Sequence, residues 1–248
     1  MFSKEKIEQR KTESPYKSPQ ENILLENKIE ITKKLLGGVS GARFVNIEND
    51  GSGILKKDAD ERMIQHERTA YLISLFLGFN FVPPTIIRSV DGEPSSIQEF
   101  VENANTFNEV EDISYYNISD EEKIKMLVFD VLIENTDRHG GNFLIKNNKI
   151  FAIDHAYAFQ DDGKGGVNRY LIYFEELIDK PFPESVVRNI KQFTENENNQ
   201  NILKELLSEL LGDYLANNYI KRINAFAAAI SENNTFNQNL FEKKLAKI

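Results

Sequence analysis

Apolar residues change rhythm near residue 101. Before it they fall in short runs and alternations bounded by glycine-bearing turns; after it they recur at three- and four-residue steps. The first regime predicts strands over 28–36, 43–47, 53–56, 85–90 and 96–101, separated by "GGVSGA", "NDGS" and "VDGE" among other stretches. One helix interrupts them. In "ERMIQHERTAYLISLFLGF", Met63, Glu67, Ala70, Ser74 and Leu77 lie along a single stripe, so a glutamate sits among small and apolar neighbours. The second regime predicts a helix in "DEEKIKMLVFDVLIEN", capped by Ser119 or Asp120 with acids in its first turn. Further helices are expected in "NILKELLSELLGDYLANNYIKRINAFAAAI" and "FNQNLFEKKLAKI", with "TENENNQN" a polar loop. Residues 1–22 are polar and charged and predict a flexible arm. The chain then divides into a small strand-rich lobe, 23–101, and a larger helical lobe, 102–248, an α+β arrangement.

Within the helical lobe one stretch keeps a strand pattern. "NFLIKNNKIFAIDHA" places Phe143–Ile145 and Ile150–Ile153 on either side of Asn147-Asn148, and asparagine tolerates the positive φ of a tight hairpin. A two-residue loop pairs Lys146 with Lys149 and Ile145 with Ile150, which sets Asn142 opposite Ile153, beside Asp154. Asp137 precedes Asn142 by five residues, across a His-Gly-Gly turn. Three oxygen-bearing side chains thus converge at one end of the ribbon. Hard oxygen donors of this kind suit Mg²⁺, held by one or two protein groups together with substrate phosphates. The pattern is that of phosphoryl transfer, with a catalytic aspartate, an asparagine and a second metal-binding aspartate beyond a hairpin. The competing reading is three turn caps, which such residues often are.

Composition narrows the partners. A net charge of −9 over 248 residues argues against nucleic acid, whose phosphates demand a basic surface. It leaves a phosphate cleft open, because local groups set the potential there. There is no cysteine, so disulfides and thiolate zinc sites are excluded. His66, His139 and His155 lack metal-ligand spacing. No apolar run approaches the roughly 18 residues of a membrane span, and the amino terminus lacks the hydrophobic segment of a secretory signal.

"NTDRHGGNFLI…IFAIDHAYAF" resembles the catalytic and metal-binding loops of the HipA-like and phosphatidylinositol 3/4-kinase-like families. "GILKK", "ERTAYLISLFLGFNFVPPTIIRSVDGE" and "SIQEFV" resemble their amino-terminal lobe, so the likeness covers roughly residues 36 to 160. H-R-D and D-F-G are absent. The resemblance implies a bilobal protein-kinase-like fold and an ATP- and Mg²⁺-dependent phosphotransferase, acting in a cytosol, either its own cell's or a host's.

It also assigns roles. "LLGGVSGARFV" carries Gly38, Ser40 and Gly41 in a loop whose backbone can approach phosphate, although it is neither a Walker A loop nor G-x-G-x-x-G. Strand alternation alone does not choose between Lys56 and Lys57; the resemblance makes Lys56 the phosphate-contacting lysine. A buried Glu67 is costly unless paired, and Lys56 is its natural partner. Backbone groups from Glu99 to Val101 are expected to bond the adenine edge, with Phe100 and Val101 shaping an apolar slot. Asp137 orients the acceptor hydroxyl and receives its proton, Arg138 neutralises phosphate or holds Asp137, and Asn142 and Asp154 bind the metal.

The acceptor stays open among four readings. HipA-like relatives modify protein serine or threonine, and the acidic chain favours a protein substrate. Phosphoinositide relatives modify an inositol headgroup. "RHGGN" is similar to a segment of aminoglycoside phosphotransferases, whose acceptors are cationic small molecules. A nucleotide-binding pseudokinase is the fourth, opposed by the complete Lys–Glu–Asp–Asn–Asp set.

Overall fold

The computed structural model describes residues 18–34, 41–48, 51–57, 60–106, 117–159, 177, 179–232 and 235. Gly38, Ser40, the segment 160–176 and the tail helix expected at 236–248 lie outside the described residues, as does most of the expected arm.

The arm ends earlier than its composition predicts. Ser18 caps a helix, α1 (Pro19–Glu26), through a capping box in which its hydroxyl accepts from Glu21 N while Glu21 accepts from Ser18 N. Proline at the first helical position suits a site where no amide partner is needed. Strands β1 (Ile29–Lys34), β2 (Arg43–Ile47) and β3 (Ser52–Lys56) follow, then α2 (Glu61–Phe76), β4 (Thr85–Val90) and β5 (Glu93–Glu99). They form one antiparallel sheet in the order β1-β2-β3-β5-β4. β5 starts three residues before the run predicted at 96–101, because a two-residue turn at Asp91 and Gly92 pairs Val90 with Glu93.

The sheet has two unlike faces. On one, Val45, Leu55, Ile86 and Ile97 pack beneath Leu24 and Leu25 of α1 as a small core of their own. Gly53 belongs to this face, where a Cβ would meet the Ile97 and Val45 side chains and the Gln98 carbonyl at 3.1–3.2 Å. The other face carries Ile54 and Lys56 and, on β5, the buried polar residues Ser96 and Gln98.

The second lobe is built on α3 (Asp120–Leu132), capped by Ser119, and on a small sheet of β6 (Asn105–Thr106), β7 (Phe143–Lys146) and β8 (Lys149–Ala152). A helix that the pattern did not single out, α4 (Glu184–Thr194), buries Val186, Ile190 and Phe193. "TENENNQN" is not a loop: Asn196 caps α5 (Glu197–Leu211), whose first turn it supplies. The apolar pattern ran unbroken into α6 (Asp213–Glu232), but Gly212, at φ 88°, separates the two helices. Their inward faces join α3, β7 and β8 in a large core that also takes in Ala70, Leu72 and Ile73 of α2. α2 therefore sides with the large lobe in its apolar packing. Among the described residues no helix is long and apolar enough to cross a membrane.

Candidate active site

Alternation along β3 sends Leu55 into the sheet core and Lys56 to the opposite face. There its Nζ stands 2.5 Å from Glu67 Oε1 and 2.8 Å from Asp154 Oδ1. Lys57 turns away to the Val90 carbonyl and Asp91, both at 3.1 Å, so of the two lysines Lys56 is the one that meets Glu67. Burial works against the Lys56 charge, but the carboxylates of Glu67 and Asp154 outweigh it and hold the pKa above the usual lysine range. Burial would likewise raise Glu67, yet Lys56 and His155 keep its carboxyl below the usual carboxylate range. Glu67 Oε2 also accepts from the backbone N–H of His155 at 3.1 Å.

The hairpin has the expected register, with Ile145 opposite Ile150 and Lys146 opposite Lys149. Asn147 and Asn148 take φ values of 51° and 60°, the backbone of a two-residue turn matched to strand twist. The pairing continues outward as Ile153 N donates to Asn142 O at 3.1 Å. Asn142 is buried, and its amide nitrogen donates to Asp137 O at 2.7 Å and Asp137 Oδ2 at 3.3 Å. Its side-chain oxygen is thereby turned to the other side. Asp154 has φ 57°, a left-handed conformation that aspartate tolerates better than most residues. Asp137 and Asp154 side chains keep 44% and 37% of their surface, enough for each to meet a ligand. His139 Nε2 lies 4.0 Å from Asp137 Oδ2, while its Nδ1 accepts from Gly141 N.

Arg138 departs from expectation. Its guanidinium is wholly buried and neither faces solvent, where a phosphate would arrive, nor holds Asp137. Nε and Nη2 form a fork on Asp130, each at 2.9 Å. Nη1 donates to the carbonyls of Asn142 and, at 2.8 Å, Ile153. One side chain thus fixes the backbone at Asn142 and just before Asp154. Asp130, on α3, is also bonded by the Asn135 amide at 3.0 Å, and Asn135 Oδ1 accepts from Asp137 N. Neither Asp130 nor Asn135 was singled out in the sequence; Asp130 sits in the last turn of α3 among apolar residues, a position where an acid requires a partner.

His155 completes the network. Its Nε2 lies 3.0 Å from Arg138 Nη2, which can only donate, so Nε2 accepts and the proton of the neutral ring is on Nδ1, 3.6 Å from Glu67 Oε2. Burial holds its pKa below the ordinary value. His66, on α2 beside Glu67, makes a 2.8 Å bond to the Ala156 carbonyl. Consecutive residues 154, 155 and 156 therefore contact Lys56, Glu67 and His66 in turn.

Of the predicted phosphate loop only Gly41 is described; its φ is 63° and a Cβ there would meet nothing within 4 Å. At the hinge, Glu99 N is already bonded to Pro84 O at 2.8 Å and Phe100 N to Ser52 O at 3.0 Å, so those two N–H groups are not available to a ligand. This corrects the expectation for the Glu99 N–H. Phe100 meets Phe44 edge-on, ring centroids 5.0 Å apart. Phe44 pairs across the strands with Ile54 and so shares the face of Lys56. Sequence reasoning passed over Phe44, one aromatic among many until the register is known.

Among the described residues no cluster of three or more His, Asp or Glu is arranged to hold a metal. Asp154 and Asn142, by contrast, present one carboxylate and one amide oxygen, an all-oxygen set that fits Mg²⁺ with most of its coordination left to phosphate and water.

A strand lysine gripped by a helix glutamate and facing an aspartate across the lobes is the working arrangement of a kinase, and this chain is a kinase of protein-kinase-like fold. It belongs to the phosphatidylinositol 3- and 4-kinase family, whose model matches residues 83–239. A search of curated protein sequences finds no match. Among solved structures, the proinflammatory kinase CtkA of Helicobacter pylori is 14% identical at a TM-score of 0.54, covering 85% of this chain and 98% of that chain. The Golgi casein kinase with Mn/ADP bound is 14% identical at a TM-score of 0.54, covering 91% and 75%. HipA of Shewanella oneidensis is a looser likeness, 10% identical at a TM-score of 0.42 over 90% and 69%. At such identities the likeness is one of fold.

Proposed function

We propose that the chain transfers the γ-phosphoryl group of ATP, with Mg²⁺, to a hydroxyl on a protein. The observation that carries this reading is Lys56 held between Glu67 and Asp154, which puts the cation of one lobe against the acid of the other. Lys56 contacts phosphate and Glu67 keeps it aimed. Phe44, Ile54 and Phe100 flank the adenine, with Val101 as hinge contact. Asn142 and Asp154 hold the metal through oxygen. Bound Mg²⁺ supplies charge neutralisation on the β- and γ-phosphates. Asp137 orients the acceptor hydroxyl and takes its proton as the new oxygen–phosphorus bond forms and the bond to the β-phosphate oxygen breaks. Arg138 acts at one remove, through the backbone on either side of the metal.

The protein acceptor rests on the acidic chain, which suits a polypeptide better than an anionic lipid surface. A second reading, an inositol headgroup, is favoured by the family match. Radiolabelled ATP incubated separately with a cell lysate and with phosphoinositide vesicles distinguishes them. Label on protein bands is expected; label on lipid alone replaces the first reading by the second.

The roles of the two aspartates are tested by calorimetry of ATP binding with and without Mg²⁺. Asp137→Ala should abolish transfer while nucleotide still binds. Asp154→Ala should lose transfer together with most Mg²⁺-dependent affinity. Equal, undiminished affinity in both variants removes Asp154 as metal ligand.

A further inference from the structure

α2 carries Glu67, yet its apolar side belongs to the core of the large lobe, whereas the sheet that carries Lys56 has a separate core under α1. On the Lys56 face the sheet mixes apolar Phe44, Ile54 and Ile87, the last packed against the large core, with the buried polar residues Thr85, Ser96 and Gln98. Apolar burial between α2 and this face is therefore shared with polar contacts, which are directional and so bear on how far α2 is turned relative to β3. Apart from the Lys56–Glu67 pair, one such set converges on a single residue of α1. Glu21 is completely buried. Its Oε1 lies 2.5 Å from Arg68 Nη1, and its Oε2 accepts from Tyr71 OH at 3.1 Å and Ser18 N at 2.9 Å. Arg68 Nη1 also donates to the Thr85 carbonyl at 2.7 Å, tying the same point to β4. The Arg68 guanidinium lies 5.4 Å from the centre of the Tyr71 ring. Burial and the neighbouring Glu21 carboxylate push the Tyr71 hydroxyl up to about 12, so it remains a donor.

Arg68 and Tyr71 are displaced by roughly a third of a turn around α2 from His66 and Glu67. One side of the helix is fixed by Glu21 and the other by residues 155 and 156. A buried ion pair contributes little net stability compared with apolar packing, but it does fix register, since no neighbouring position satisfies both charges. We propose that Glu21 is a positioning residue for phosphotransfer: through Arg68 and Tyr71, α1 sets the rotation of α2 that brings Glu67 onto Lys56. The inference rests on the kinase reading above and adds the segment before the sheet to its machinery.

The test is a double-mutant cycle on Mg²⁺–ATP affinity, read by calorimetry on variants first shown to melt cooperatively. Glu21→Gln keeps the shape and a neutral acceptor but removes the charge. It should lower nucleotide affinity by roughly three- to tenfold in the wild-type background and by nothing further in Glu67→Gln. Tyr71→Phe, which deletes one donor and leaves the ion pair, should show a smaller loss with the same dependence on Glu67, and serves if Glu21→Gln does not fold. Undiminished affinity with a lowered melting temperature would make Glu21 merely structural and overturn the proposal. So would a loss of equal size in both backgrounds. If the wild-type chain binds no nucleotide, it is the kinase reading that fails.

Discussion

Arg138 is charged, adjacent to Asp137 in the chain and yet wholly buried. Its sequence position offered two roles, at phosphate or at Asp137, and it fills neither, because burial is a property of the packed lobe and leaves no mark on a D-R pair. Removing it strands Asp130, which is buried and left with Asn135 alone. Arg138→Ala should therefore cost about 3–5 kcal/mol in urea denaturation, the range for breaking a buried pair from one side. Arg138→Lys should recover only part of that, since an ammonium cannot fork onto Asp130 and still reach two carbonyls. Glu67 was legible beforehand because a buried carboxylate demands a cationic partner, Asp154 because the hairpin register sets it beside Asn142, and Lys56 through the resemblance alone. Phe44 and His155 were not, because their value depends on strand register and on what lies across the cleft.

The β7–β8 hairpin shows an element that sequence can specify almost completely, since two adjacent asparagines both tolerate positive φ and the flanking residues are strand formers. Asn148→Gly should leave stability and transfer nearly unchanged. Asn148→Val should destabilise by roughly 1–2 kcal/mol, because a β-branched residue is forced into a left-handed backbone, and thermal melts of the two variants check it. α1 was lost in a polar stretch although its Ser-Pro-Gln-Glu start is a capping signature; what conceals it is that Glu21, a charged residue, is the one most deeply buried. α5 was misjudged at its start because four polar residues can form a solvated first turn as readily as a loop.

Across the whole molecule, two histidines between the lobes make stability depend on pH. Burial lowers the pKa of both His66 and His155 from the ordinary 6.5, so the folded chain holds them neutral while the unfolded chain protonates them. The unfolded state then binds more protons, and stability falls as pH drops below that ordinary value towards the depressed folded ones. Glu67, held low by Lys56, contributes stability that is present above its ordinary 4.5 and lost only as pH falls further. Urea denaturation at about pH 7.5 and about pH 5.5 should show the first loss in the wild type and a flatter response in His66→Asn. The two-lobed architecture was the most legible feature of all, since a shift from alternating to helical spacing is visible without any motif. The separation of the sheet core from the core around α2 was not, because apolar periodicity tells which face is inward and never which neighbour it meets.

Three consecutive residues, Asp154, His155 and Ala156, meet Lys56, Glu67 and His66 through a side chain, a backbone N–H and a backbone carbonyl. Two of the three contacts would survive a change of side chain, but none would survive a change of length. Inserting or deleting a single residue between the hairpin and Asp154 puts all three out of step together. Asp154 and His155 also answer for their side chains, so in this part of the gene the letters are constrained by two residues and the spacing by all three.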